Sequence, residues 1–242
     1  MQFRRAQIAK AFTWSPGPAA EDKVLWKFSE QDPHCLDDWV VSTDEVVDGS
    51  SHCTFKVKDN VAVFKGKVKL NPHGTTAERG YCAIRASVPR LNSDLSDYEG
   101  IGLRIRADAN VYAFNVKSKS FFPDDLYQGF IRVGEPSSSR QFVDVELPFE
   151  KLLLTSYGFQ KMVNRPLPQD KLTHIGITII AEKDTPFELQ IESIKALAEV
   201  DYESADDMEQ KQKDLEREAR LKLATARRKR ILRDEAASAN QE

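Results

Sequence analysis

Residues 101–106 read Ile101-Gly102-Leu103-Arg104-Ile105-Arg106, and this stretch decides the fold class. Successive side chains of an extended chain point to opposite faces. Ile101, Leu103 and Ile105 therefore share one side, and Arg104 and Arg106 share the other. Such alternation marks a strand with one face in a core and one in water. Phe187-Glu188-Leu189-Gln190-Ile191-Glu192 repeats it, and so does Gln141 to Leu147, where Phe142, Val143, Val145 and Leu147 surround Asp144 and Glu146. Val24 to Phe28, Val61 to Leu70, Val111 to Val116 and Ile175 to Ile180 are further β-rich runs.

Between these runs lie turn clusters: Asp48-Gly49-Ser50-Ser51, Asn71-Pro72-His73-Gly74, Asp108-Ala109-Asn110, Pro136 to Ser139 and Lys183 to Pro186. Roughly ten short strands at this spacing predict an all-β antiparallel sandwich or jelly roll. No helical period of ten or more residues separates the strands, which argues against a parallel α/β domain. Trp39, Tyr81 and Phe149 are expected between the sheets.

Composition bounds the rest. The chain has 242 residues and a formal net charge of −3, with 40% hydrophobic residues. That is enough to bury a core without metal or disulfide staples. No run of ~18 apolar residues exists to span a membrane. A near-neutral charge balance argues against generic nucleic-acid binding. Three widely spaced cysteines favour free thiols in a reducing compartment.

The composition divides the chain at 1–22, 23–200 and 201–242. Residues 1–20 hold Arg4, Arg5 and Lys10 and no acid. They suit a mitochondrial presequence or, equally, a plain basic tail. After Val200 the chain has eleven acidic and ten basic residues and neither Gly nor Pro. Acids near one end, bases near the other and (i, i+4) pairs such as Glu216/Arg220 predict a long C-terminal α-helix over about 205–237. This segment reads as a solvated appendage or as a docking arm. Its basic end, with Arg227, Arg228 and Arg230, is the candidate for contact with an anionic partner or membrane.

Catalytic signals are weak. His34-Cys35 and His52-Cys53 offer zinc-type ligands, but neighbours on a strand point apart. Cys82 reads as a small core residue. No nucleophile elbow, phosphate loop or dinucleotide fingerprint is present. Asp37/Asp38 and Asp124/Asp125 read as solvated turn carboxylates. The most suggestive stretch for binding is Phe121 to Tyr127, with Phe121, Phe122 and Tyr127 around Pro123. These aromatics form either a recognition loop or a plug for the sandwich end. Arg104 and Arg106 give a second candidate contact surface.

An ordered set of landmarks resembles the complex I intermediate-associated protein family. It runs Trp26-Lys27-Phe28, Trp39 to Asp44, Asp48-Gly49-Ser50-Ser51, Phe64 to Val68, Arg79-Gly80-Tyr81-Cys82-Ala83-Ile84, Tyr98 to Arg106, Glu146-Leu147-Pro148-Phe149, Leu172 to Ile177 and Pro186 to Ile191. Asp48-Gly49 departs from the family's double glycine, and the charged tail lies outside its pattern. The resemblance implies a galactose-binding-like jelly roll. It also implies a non-enzymatic assembly chaperone for mitochondrial NADH:ubiquinone oxidoreductase, with no catalytic residues. The missing motifs and the ligand spacing separately give no expectation of a cofactor or bound metal. The expected partners are a membrane-arm intermediate, the assembly protein ECSIT and an acyl-CoA-dehydrogenase-like flavoprotein. The expected location is the mitochondrial matrix, with a peripheral inner-membrane contact. The alternative is a carbohydrate-binding module of the same jelly-roll type.

Overall fold

The computed structural model describes residues 20–70, 80–89, 93–120, 122, 124–132, 141–156, 159–163, 165–181 and 183–202. Its strands are β1 (Lys23–Lys27), β2 (Trp39–Thr43), β3 (His52–Lys58), β4 (Val61–Val68), β5 (Gly80–Ser87), β6 (Gly100–Ala107) and β7 (Val111–Ser118). They continue with β8 (Asp125–Arg132), β9 (Val143–Pro148), β10 (Leu153–Ser156), β11 (Phe159–Gln160), β12 (Leu172–Ala181) and β13 (Thr185–Leu197). The described helical elements are short 3-10 turns at Asp44–Val47, Phe149–Lys151 and Gln169–Lys171.

Two antiparallel sheets form. The six-stranded sheet runs β3-β4-β13-β6-β9, with β1 added on β13. Strand β13 is long enough to pair with β4 along Thr185–Ile191 and with β1 along Ser193–Ala196. Its bulge opposite β6, between Ile191 and Ser193, lets both Ile191 and Ile194 turn inward. The seven-stranded sheet runs β11-β10-β8-β7-β12-β5-β2. All the strands read from the sequence are present, including Ile101, Leu103 and Ile105 facing the core.

Local chemistry sets the turns. Asp59 and Asn60 both take positive φ, 54° and 60°, in the two-residue turn joining β3 to β4. Such primed turns match the twist of a hairpin, and Asp and Asn tolerate this region. Asp48 takes φ 59° after the first 3-10 turn. The fully buried Asp44 carboxylate accepts hydrogen bonds from Ser51 N–H (3.0 Å) and Ser51 Oγ (2.8 Å). Gly80 must lack a side chain here, since a Cβ would lie 1.9 Å from the Lys69 carbonyl oxygen.

An aromatic row joins the sheets. Trp39 of β2 meets Trp26 (5.7 Å between ring centroids), Phe28 (5.8 Å) and Phe55 (5.2 Å). The row continues through Phe64, Phe187 and Tyr112, which returns it to the seven-stranded sheet on β7. Trp39 and Phe149 are buried as expected. Tyr81 is not between the sheets: on β5, Gly80, Cys82 and Ile84 face inward, so Tyr81 faces out and is half-buried.

The expected long C-terminal α-helix is corrected. The described elements are strands and 3-10 turns with no α-helix among them, and residues 203–242, where that helix was expected, lie outside the described residues. The fold stands as all-β.

Trp39→Ala removes a side chain that touches three other aromatic rings. Equilibrium denaturation is expected to show a loss of about 3–5 kcal/mol, a large part of a typical ~5–15. Tyr81→Ala, on the outer face, should cost about 1 kcal/mol or less.

Candidate protein-interaction surfaces

With the core between the sheets, the remaining chemistry is distributed over two outer faces and one edge. The outer face of the six-stranded sheet carries Arg104 and Arg106, pointing outward as the alternation required. Both are engaged by their own sheet. Arg104 pairs with Asp144 (2.6 Å) on β9 and Glu192 (3.6 Å) on β13. Arg106 donates to Gln190 Oε1 (3.1 Å from Nε) and lies over the Phe142 ring at 4.9 Å. Gln190 donates to Glu188, which also meets Lys65. The Gln190 hydrogen bond, then Lys65, holds the Glu188 carboxyl below its ordinary range. Around Arg104, Arg106 and Lys65 the charges satisfy one another, each exposed pair worth little by itself. The exposed Lys56 and Lys58 of β3 have no ion pair among the described residues.

The aromatic loop candidates separate. Tyr127 lies on β8, 6% exposed, and donates its hydroxyl to the Pro166 carbonyl (3.0 Å). It is a core residue. Phe122 is exposed just before β8, flanked by Lys161 Nζ at 4.8 Å and the Arg165 guanidinium at 6.0 Å from its ring centroid. Phe159, Met162 and Val163 are also exposed, so β11 and the chain after it form an apolar edge with basic flanks. Asp125, buried at the start of β8, is paired with Lys161 (2.5 Å). Phe121, Arg227, Arg228 and Arg230 lie outside the described residues.

The outer face of the seven-stranded sheet was not legible beforehand. Register places His174 of β12 between Ser87 of β5 and Lys117 of β7, and places Arg85 of β5 opposite Gly176. Asn115 donates to Thr178 Oγ1 (2.9 Å) and accepts from Gln128 Nε2 (2.7 Å), forming a polar chain across three strands. Tyr81, Phe130, Ile180 and Val40 share the face. The outward positions of β2, β5, β12, β7 and β8 carry no carboxylate. The His174 imidazole is pushed below its ordinary value by burial first, and then by the charges of Arg85 and Lys117. Its Nδ1 is buried and finds no hydrogen-bond partner among the described residues.

The cysteine and histidine pairs come out differently. His34 is exposed and bonded to Asp37 (2.7 Å), which raises its pKa. Cys53 and Cys82 come from opposite sheets, and a thiol–thiol hydrogen bond pushes Cys82 up, with burial adding to it. Among the described residues no group of three or more His, Cys, Asp or Glu is placed to hold a metal.

Solved structures share this two-sheet fold. A family 11 carbohydrate-binding module from Clostridium thermocellum, in complex with a mixed-linked tetrasaccharide, matches with TM-score 0.54 at 17% identity, over 74% of this chain and 97% of its own. The family 11 module of the cellulosomal cellulase Lic26A-Cel5E gives 0.54 at 16% identity, over 76% of this chain and 98% of its own. At such identity the likeness concerns the fold alone. The particular family is given by sequence. The model of the complex I intermediate-associated protein 30 (CIA30) family matches residues 26–191, and the chain belongs to that family. It is 29% identical over 182 residues to a mitochondrial complex I intermediate-associated protein 30 of Mus musculus, covering 71% of this chain and 55% of that one. The Drosophila melanogaster protein of that name is 26% identical over 214 residues, covering 80% and 70%. The chain thus spans about half the length of the mouse relative.

His174 should titrate below its ordinary midpoint of 6.5 in the folded protein. The unfolded chain then holds this proton more tightly, so the related share of stability is present above pH 6.5 and lost as pH falls below it. An imidazole NMR titration checks this, and Arg85→Gln should move the midpoint upward.

Proposed function

We propose that this chain is a non-enzymatic assembly factor for mitochondrial complex I that binds a membrane-arm intermediate on the matrix side. The observation that carries the reading is the extent of the family match. Residues 26–191 run from within β1 to within β13, so the part shared with complex I intermediate-associated proteins is the two-sheet sandwich itself. Assembly partners of the kind implied by the resemblance, ECSIT and an acyl-CoA-dehydrogenase-like flavoprotein, belong to this proposal.

The apolar edge suits the task. An unfinished membrane arm offers apolar surface that later subunits will cover, and large exposed side chains beside basic ones mark recognition surfaces. Phe122, Phe159, Met162 and Val163 supply the first, and Lys161 and Arg165 the second. Arg227, Arg228 and Arg230 are proposed to add a salt-sensitive contact with the anionic inner membrane. Carbohydrate-module neighbours share the fold at 17% identity or less and give no support for a sugar site.

Depletion of the protein is expected to lower assembled complex I on native gels. Re-expression of the wild type should restore it, and Phe159→Asp/Met162→Asp should not, while keeping a normal melting transition. Unchanged complex I after depletion would contradict the function, and full rescue by the double variant would contradict the edge.

A further inference from the structure

We propose that the outer face of the seven-stranded sheet is a docking surface for an acidic amphipathic helix of a partner protein. This goes beyond the assembly reading, because it concerns a different surface and holds whichever complex the protein serves.

The face is segregated along the strand direction. At one end stand Arg85, His174 and Lys117, on the neighbouring strands β5, β12 and β7. Toward the other end stands Ile180, about half exposed, with Tyr81 opposite it, and on β8 the outward Arg132 lies at that end too, opposite Val111. Between them Ala83, Thr178 and Ala113 form a cross-strand row of small side chains, closed on β8 by the half-exposed Phe130, and Gly176 lies between Arg85 and Asn115 in the next row. A helix laid across β5, β12 and β7 would rest on these small residues, with Arg85, His174 and Lys117 along one flank and Tyr81 and Ile180 along the other.

Charge complementarity selects the occupant. Arg85 and Lys117 form no ion pair among the described residues. No outward position on the five strands supplies a carboxylate, whereas the opposite sheet neutralises its arginines with Asp144 and Glu192. Arg85 and Lys117 are two strands apart and offset by two positions along them, roughly 12 Å between backbones. Carboxylates at i and i+7 of a helix are separated by about the same distance. A helix is favoured over a bilayer because hydrogen-bonded polar side chains stand among the small ones. Asn115, Gln128 and Thr178 would have to give up water to hydrocarbon. Nucleic acid would use the cations and leave Phe130 and Ile180 without a role.

The test uses the full chain and three synthetic helices with identical leucine faces and Glu, Gln or Lys on the other face. The Glu-faced helix should bind about tenfold more tightly than the Gln-faced one, the size expected of two surface ion pairs, and should weaken as salt rises. Arg85→Glu/Lys117→Glu should abolish the preference, with Arg85→Gln/Lys117→Gln as the milder pair if the charge reversal unfolds the protein. Lys56→Glu, on the outer face of the other sheet, should leave it unchanged. On binding the Glu-faced helix, the His174 titration midpoint should rise. Equal binding of the Glu and Gln helices would overturn the proposal. So would undiminished binding by the double variants, or binding only to anionic vesicles or an oligonucleotide.

Discussion

The aromatic row between the sheets is the constraint on which the rest of the structure depends. Trp26, Phe28, Phe55, Phe64 and Phe187 come from one sheet or its approach, and Trp39 and Tyr112 from the other. Rings in offset or edge contact hold two faces at a fixed distance and contribute beyond the area they bury. Once those rings face inward, the period of two fixes every outward residue on the same strands. Arg85 faces solvent because Ile84 and Ala86 do not. Lys117 faces solvent because Val116 and Ser118 do not.

The two outer faces solve the resulting electrostatic problem differently. On the six-stranded sheet the outward residues alternate in sign across strands, so Arg104 finds Asp144 and Glu192, and Lys65 finds Glu188. Cross-strand pairs of this kind favour one register. They engage both arginines of that face, leaving its free cations among the described residues on β3, at Lys56 and Lys58. On the seven-stranded sheet the outward residues are neutral or cationic, and a buried imidazole nitrogen goes without a hydrogen bond. Charge left without a partner contributes little to folding and is available to binding, which is why the two arginine-bearing faces are assigned different roles.

What the sequence disclosed and what it hid have the same physical origin. Alternation within one strand is local, so Ile101 to Arg106 declared their strand and their inward side. Strand neighbours are not local. His174 meets Lys117 and Ser87 through pairings 57 and 87 positions apart, and nothing near His174 in the chain announces them. Pro123, Asp124 and Asp125 give the approach to Tyr127 the composition of a loop, yet the strand begins at Asp125 and turns the ring inward. Tyr81 erred in the opposite direction: an aromatic beside Cys82 suggested core, while the parity of β5 puts it outside. Phe159, Met162 and Val163 carry no periodic signal, since β11, which begins at Phe159, is two residues long. The helix formers of residues 203–242 gave a strong local signal for a helix that the described elements do not contain.

The central proposal is that this chain docks a partner on the outer face of the seven-stranded sheet and on the apolar edge beside it, with the six-stranded face as scaffold. The most direct measurement is site-specific photo-crosslinking in intact mitochondria, with the probe placed at Ser87, at Phe159 or, on the six-stranded face, at Lys56. The account predicts that Ser87 and Phe159 probes capture complex I assembly intermediates, with Ser87 products mapping to acidic helical segments, and that the Lys56 probe captures none. Capture from Lys56 alone, or from no position, would contradict it.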